Sequence, residues 1–314
     1  MARYLVTGGA GFIGSHLLDA LTARGDGVRV LDDLSTGRRD NLPGAAELVV
    51  GDVADPALLA AAMAGCEGCF HLAAVASVER SVEDWLGTHR VNATGSIAVF
   101  DAARRAGAGR PIPVVYASSA ATYGEGAAGA ILESASMRPE SAYGADKRAS
   151  ELHAYVAHKV HGVPTTGLRF FNVYGPRQDP SSPYSGVISI FADRIRQGRA
   201  ITIHGDGSQI RDFIYVGDVV RFLLAAMARR PSEPGVYNVC SGRGTTIREL
   251  ATTLMTIAGG AVEIISVPSR PGDLRHSLGD PALARRELGL SAETQLADGL
   301  RQTFAWRPSL AATG

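Results

Sequence analysis

Thr7-Gly8-Gly9-Ala10-Gly11-Phe12-Ile13-Gly14 is the stretch that decides the fold. A short apolar run, Tyr4-Leu5-Val6, precedes it, and an amphipathic stretch over residues 15–24 follows. Each of the three spaced glycines, Gly8, Gly11 and Gly14, has a task. A tight turn needs positive φ, a pyrophosphate needs close backbone approach, and the helix must pack tightly on its strand. Free N–H groups at the helix start, aided by the helix dipole, then face an anion. A glycine motif alone is a weak sign. The strand–turn–helix context gives this one its weight and predicts a dinucleotide site.

Working outward, short apolar runs alternate with longer amphipathic ones. Val28-Arg29-Val30-Leu31, Glu47-Leu48-Val49-Val50, Cys69-Phe70-His71-Leu72 and Pro113-Val114-Val115-Tyr116 read as further strands. Their apolar character predicts strands covered on both faces, as in a parallel sheet. Helical patterns cover residues 56–64, 92–106 and 143–161, and 165–171 reads as a sixth strand. The alternation predicts an α/β chain, a Rossmann doubly wound parallel sheet. Residues 175–186 are rich in Pro, Ser, Asp and Gly, a loop composition. Beyond them a helix (188–197), a strand (200–204) and a helix (216–229) alternate less regularly. The expected organisation is a dinucleotide-binding domain over 1–175 and a smaller mixed C-terminal lobe over 176–314, with segments interleaved between the two.

Bulk composition narrows the function classes. The chain has 314 residues, 46% hydrophobic and 20% charged, and its 31 Lys+Arg balance 31 Asp+Glu. That balance offers no electrostatic argument for nucleic acid or a membrane surface as partner. Three cysteines make no disulfide framework. Cys66 and Cys69 have CxxC spacing, but no second Cys or His pair answers them, so no metal site is expected. Tyr4-Leu5-Val6 runs straight into the glycine turn without a cleavage pattern, and no stretch reaches the roughly 18 apolar residues of a membrane span. A cytoplasmic location is expected.

An acidic residue selects the dinucleotide. Asp32 ends the second strand, 18 residues after Gly14. A carboxylate there accepts from both ribose hydroxyls of the adenosine and repels a 2′-phosphate, which favours NAD over NADP. Arg38 and Arg39 follow nearby, and Asp52 and Val53 come after the third strand, where an adenine edge would lie. Tyr143-Gly144-Ala145-Asp146-Lys147 puts a phenol and an ammonium on one helix face. A lysine cation, with a positive nicotinamide ring close by, favours the phenolate and makes Tyr143 a general base. Ser119, in Ala117-Ser118-Ser119-Ala120-Ala121-Thr122-Tyr123-Gly124, ends the fifth strand at the carboxyl edge of the sheet. Its hydroxyl can hydrogen-bond the substrate hydroxyl that Tyr143 deprotonates. No Asp–His arrangement makes it a nucleophile.

With these residues in view, the chain resembles the extended short-chain dehydrogenase/reductases, the NAD-dependent epimerase/dehydratase family, and within them the UDP-galactose (UDP-glucose) 4-epimerases. The resemblance rests on the glycine turn, Phe70-His71-Leu72-Ala73-Ala74, Ser118-Ser119, the Tyr143–Lys147 pair and Arg169-Phe170-Phe171-Asn172-Val173-Tyr174-Gly175-Pro176. Gly205-Asp206-Gly207, Arg211-Asp212-Phe213 and Arg270-Pro271-Gly272-Asp273 extend it. It implies a catalytic triad of Ser119, Tyr143 and Lys147. It implies NAD held by Gly8, Gly11, Phe12, Ile13, Gly14, Asp32, Asp33, Leu34, Ser35, Thr36, Gly37, Asp52, Val53, Leu72, Ala73, Ala74, Asn92, Ala117, Tyr143, Lys147 and Phe170, with Phe170 against the nicotinamide. For a UDP-sugar substrate it implies Ser77, Ser119 and Tyr143, with Asn172, Arg211 and Arg270 on the diphosphate and Asp273 nearby. Val187, Ile188, Thr202 and Ile203 would hold the base and ribose, and Ser277 would line the sugar's 2-substituent, where a small residue admits N-acetyl groups. A homodimer through the helices at 92–106 and 143–161 is the family's usual assembly.

The family's dehydratases carry an acid pair just after the catalytic hydroxyl residue, and its decarboxylases carry a Glu nearby. Here Ala120 and Ala121 stand there, a departure that favours 4-epimerisation. Arg275 and His276 keep a uronic-acid sugar open. The rivals are a dehydrogenase that releases its cofactor and a non-catalytic NAD sensor. The presence of both Tyr143 and Lys147 argues against the sensor.

Overall fold

Leu5 and Val6 show why the first strand reads as continuously apolar. Neighbouring strand residues point to opposite faces, and both are fully buried, Leu5 in one hydrophobic core and Val6 in another. The sheet is covered on both sides. The computed structural model describes residues 1–107, 110–125, 129–179, 186–229, 233–269 and 274–307.

The chain begins β1 (Arg3–Thr7), α1 (Phe12–Ala23), β2 (Gly27–Asp32), β3 (Glu47–Val50), α2 (Pro56–Met63) and β4 (Gly68–His71). It continues through α3 (Val78–Glu83), α4 (Trp85–His89), a π-turn (Arg90–Thr94), α5 (Gly95–Ala106), β5 (Val114–Ser119), α6 (Ala142–His161) and β6 (Thr165–Phe170). Then come β7 (Asn172–Tyr174), α7 (Val187–Arg196), β8 (Ile201–His204), β9 (Ile210–Tyr215), α8 (Val216–Arg229) and β10 (Gly235–Val239). The last elements are β11 (Gly244–Thr246), α9 (Ile247–Ala258), β12 (Ile264–Val267), β13 (His276–Ser277), α10 (Ala282–Leu288) and α11 (Leu296–Ala305).

Seven strands form one parallel sheet in the order β10-β6-β5-β4-β1-β2-β3. This is the expected Rossmann sheet, whose order reverses between β1 and β4. Ligands bind beyond the carboxyl ends of strands at such a reversal. Leu17, Leu18 and Leu21 of α1 and Phe222 and Leu223 of α8 cover one face. Leu59 and Met63 of α2, Val99 and Phe100 of α5, and Ala154 and Ala157 of α6 cover the other. Each fully buried Leu or Phe stabilises by about 1.5–3 kcal/mol.

Two features depart from the sequence reading. The helix expected at 92–106 starts earlier, because helical backbone continues from α4 through the π-turn into α5, and Asn92 lies inside that run. Its side chain accepts from Val75 N at 2.8 Å and donates to Val75 O at 3.1 Å. The second departure is β10, which joins the large sheet beside β6 with Val239 opposite Phe170. Residues 216–239 therefore return to the first layer, and α8 packs on α1. The smaller lobe has a four-stranded sheet in which β9 is central, flanked by β11 and β13 and also pairing β7. A parallel pair, β8 and β12, and a core built by α7, α9 and α11 complete it. No helix among the described residues is long and apolar enough to cross a membrane.

Candidate active site

The carboxyl ends of the large sheet open into one cleft of about 600 Å³. The glycine turn forms one wall. Gly8 has φ +70°, and a Cβ there would meet Ala73 N at 2.7 Å, so the turn and the loop after β4 touch backbone to backbone. A Cβ on Gly14 would lie 2.3 Å from Gly8 O, so only glycine lets α1 start this close to the turn. Gly11 caps α1 without a side-chain bond, and the first helical turn carries no acidic residue. Those N–H groups suit phosphate oxygens.

Asp32 sits at the end of β2, almost fully buried, with Oδ2 accepting from Ala10 N and Oδ1 from Leu34 N, both at 2.9 Å. Burial pushes its carboxyl above the ordinary range, and the two backbone N–H groups oppose that. Each oxygen keeps acceptor capacity for a ribose hydroxyl. Asp33, Ser35, Thr36, Asp52 and Val53 line the same end of the cleft. Arg38 pairs instead with Asp40, 3.6 Å away on the surface. The observed cradle suits NAD.

At the other end, Ser119 closes β5 and accepts from Ala121 N at 3.1 Å. A Cβ on Gly144 would come 2.5 Å from Ala121 O, so glycine there lets the start of α6 reach the serine turn. That contact sets Tyr143 near Ser119 in the same cleft wall, where the serine hydroxyl favours the phenolate. Lys147, one turn on, is almost wholly buried, donates from Nζ to Ala117 O at 2.9 Å and lies 5.9 Å from the Tyr143 ring centroid. Burial pulls its ammonium down from 10.5 to about 8, which Asp146 partly counters. Burial also raises Tyr143 above its ordinary value, against the opposing influence of the Ser119 hydroxyl. Without a bound cofactor, desolvation is the larger influence on the phenol; the expected phenolate relies on the lysine together with a positive nicotinamide ring.

Behind this wall runs a buried polar chain. Ala73 N donates to Thr7 Oγ1 at 3.2 Å, and Thr7 Oγ1 meets His71 Nδ1 at 2.8 Å. His71 Nε2 meets Ser96 Oγ at 3.0 Å, which donates to Asn92 O at 2.6 Å. Since Ser96 spends its proton on Asn92, the imidazole carries its proton on Nε2. Burial, with the Lys147 charge, lowers His71 to about 3, so it stays neutral. Beneath the serine turn, Glu151 accepts from Ser118 Oγ at 2.6 Å and from Arg169 Nε at 2.7 Å and Nη2 at 2.8 Å.

Most of the expected cofactor residues meet in this one cleft: the turn residues Gly8, Gly11, Phe12, Ile13 and Gly14, the Asp32 group above, and Leu72, Ala73, Ala74, Ala117, Tyr143, Lys147 and Phe170. Leu34, Gly37 and Asn92 act from behind it. Leu34, at φ +59°, donates its N–H to Asp32, Gly37 lies close against Ala10 and Asp32, and Asn92 clamps Val75. The expected substrate residues are less gathered. Ser77 is buried and caps α3. Asn172 of β7 donates to Asp212 O at 3.1 Å, and Ser277 pairs in register with Arg211, so these three share the small sheet. Asp212, fully buried, holds that sheet by accepting from Ser241 N and Oγ, Gly242 N and Gly279 N. Val187 and Thr202 are half-buried, Val187 against the lobe's core, while the side chains of Ile188 and Ile203 are spent in that core. Arg270 and Asp273 lie outside the described residues. Arg80, Arg90, Phe171, Val173 and Gln178 also line the cleft. The sequence reading passed over them, because no local spacing marks a side chain that reaches a site only through folding. Among the described residues no group of three or more His, Cys, Asp or Glu could hold a metal ion.

Known proteins resemble this chain in sequence and fold. Residues 4–240 match the model of the NAD dependent epimerase/dehydratase family. The chain is 40% identical to a UDP-glucose 4-epimerase of Mycolicibacterium smegmatis over 96% of this chain and 97% of that one. It is 35% identical to a dTDP-glucose 4,6-dehydratase of Streptomyces niveus, over 97% and 92%. A crystal structure of UDP-glucose 4-epimerase with UDP-glucose, from Thermotoga maritima, superposes with a TM-score of 0.92 at 36% identity over 96% and 97% of the chains. The chain belongs to the NAD dependent epimerase/dehydratase family.

Proposed function

We propose that the protein is a UDP-hexose 4-epimerase that keeps its NAD through the catalytic cycle. One observation carries the reading. Ser119, Tyr143 and Lys147 converge at the cleft end, and the residues that follow Ser119 are Ala120 and Ala121, without a carboxyl. The acids lining the cleft among the described residues are Asp32, Asp33, Asp52 and Asp84, none of them on the serine turn. Elimination of a sugar hydroxyl needs a proton donor beside the leaving group. Proton transfer at one hydroxyl needs only Tyr143.

NAD supplies the hydride acceptor and donor. Tyr143 Oη takes the proton of the sugar's 4-hydroxyl and later returns one, while the Ser119 hydroxyl orients that hydroxyl by a hydrogen bond to it. Lys147, fixed by Ala117 O, is the cation beside the phenol. The sugar presents its second face by swinging about the diphosphate, which requires a loose hexose pocket and a firm diphosphate grip. Asn172, Arg211 and Arg270 provide that grip. Small Ser277 admits an N-acetyl group. A second copy of the chain covers Ile97 of α5 and Leu152, Tyr155, Val156 and Val160 of α6, an exposed apolar face that supports the homodimer. The three cysteines are free and buried, which suits the cytoplasm.

The test is an NMR screen of purified protein with UDP-glucose, UDP-N-acetylglucosamine, UDP-glucuronate and dTDP-glucose. The C4 epimer should form without build-up of NADH. A 4-keto-6-deoxy product would overturn the reading, as would stoichiometric NADH.

A further inference from the structure

Among the described residues lining the cleft, one cation has neither a partner nor a part in the proposed chemistry. Among the described residues lining it, the basic side chains are Arg80, Arg90 and Lys147. Arg90 is committed to Asp52 at 2.6 Å, and Lys147 to Ala117 O at 2.9 Å beside Tyr143. Arg177, at the edge of the smaller lobe, is held by Asp19 at 2.8 Å. Arg80 is half-buried in the wall, and its guanidinium has no ion pair or hydrogen bond among the described residues. A half-buried guanidinium is costly to leave without an anion.

Its backbone is held in place. Ser77 Oγ accepts from Arg80 N at 3.0 Å, and Ser81 Oγ donates to Val78 O at 2.6 Å. Just upstream, Asn92 fixes Val75 by both its N–H and its carbonyl. The segment leading into α3, Leu72 to Ala76, is the cleft wall against which Gly8 packs. Arg80 thus follows the wall that touches the glycine turn, and its side chain lines the same cleft. That turn offers phosphate only backbone N–H groups and a helix dipole, with no basic side chain on residues 7–14.

We infer that Arg80 is a diphosphate anchor: its guanidinium binds phosphate oxygens of a nucleoside diphosphate group in the cleft it shares with the glycine turn. The planar fork suits two phosphate oxygens, and charge-assisted bonds of this kind are about twice as strong as neutral ones. The inference rests on NAD binding in this cleft and not on which sugar is turned over. Two ligands carry the group, the cofactor and a UDP-sugar, and the experiment separates them.

Calorimetric titrations of Arg80→Gln and Arg80→Lys against the unaltered protein should use NAD, ADP-ribose and adenosine in one arm, and UDP and uridine in the other. Arg80→Gln should weaken the diphosphate ligands of one arm by about 10- to 100-fold. Adenosine and uridine should bind unchanged, and Arg80→Lys should restore much of the loss. Loss in the NAD arm assigns the cofactor's pyrophosphate, and loss in the UDP arm the substrate's. Unchanged diphosphate affinity in both arms overturns the inference. So does equal loss of adenosine or uridine, which would mark a merely structural role. Failure of the unaltered protein to bind NAD would instead count against the proposed function, so the two failures are distinct.

Discussion

Lys147→Met should leave an inactive protein whose stability responds to pH differently from the parent. Lys147 is almost wholly buried, and its fall from 10.5 to about 8 means that the folded state disfavours the ammonium by about 3 kcal/mol at neutral pH. Met matches the length of the apolar stem and carries no charge to desolvate. Against that gain stands the bond to Ala117 O, a charged hydrogen bond worth about 1.5–3 kcal/mol. At pH 7 the two nearly cancel, so the pH dependence is the sharper quantity. The folded value lies below the unfolded one. The penalty is therefore fully present below about pH 8, fades as pH rises toward 10.5 and is gone above it. Urea unfolding of both proteins from pH 7 to 10, followed by circular dichroism with no added nucleotide, should show the parent gaining about 2–3 kcal/mol on the variant. Groups common to both proteins cancel in the difference. A gap that stays flat within about 0.5 kcal/mol would refute the claim that burial of this ammonium opposes folding.

Tyr143→Phe removes the proton carrier while keeping the ring. Turnover should fall by about 10²- to 10⁴-fold, with NAD still bound in fluorescence titration. Gly14→Ala forces a Cβ to within 2.3 Å of Gly8 O, so the turn must shift. It should lose several kcal/mol of stability, roughly 2–4, and most NAD affinity, read by urea melts and calorimetry. Arg169→Met strands the Glu151 carboxylate in the interior and should cost about 3–5 kcal/mol. Against the cost of burial, Arg169, Ser118 and Arg148 hold Glu151 below its ordinary range. The stability they lend is present above about 4.5 and lost as pH falls through the folded value, while protonation relieves the stranded carboxylate of Arg169→Met, so the stability gap between parent and variant should narrow as pH falls. Ser277→Tyr fills the space assigned to the sugar's 2-substituent. It should depress turnover of N-acetylated sugars by at least about tenfold while sparing UDP-glucose, measured as the ratio of the two kcat/KM values; equal loss on both sugars would count against that assignment.

The elements that read plainly in the sequence are those whose meaning is local. The turn from Gly8 to Gly14, Asp32 closing β2, and Tyr143 with Lys147 one helical turn apart lie within spacings that a strand or helix imposes by itself. Their convergence in one cleft follows from the strand order. β10 carried no such mark. Its place beside β6 is set by pairing Val239 with Phe170, far apart in the chain, and a five-residue run cannot announce a distant partner. Arg80 and Arg90 likewise look like ordinary helix arginines until the loop after β4 brings them to the cleft.

What the sequence by itself determined is the set of groups and their local spacing: a dinucleotide turn, a carboxylate for NAD, a phenol with its lysine, and no acid after Ser119. The tertiary structure decided how those groups behave. Burial raised Tyr143, lowered Lys147 and kept His71 neutral, because desolvation depends on what the whole chain packs around a side chain and not on its neighbours in sequence.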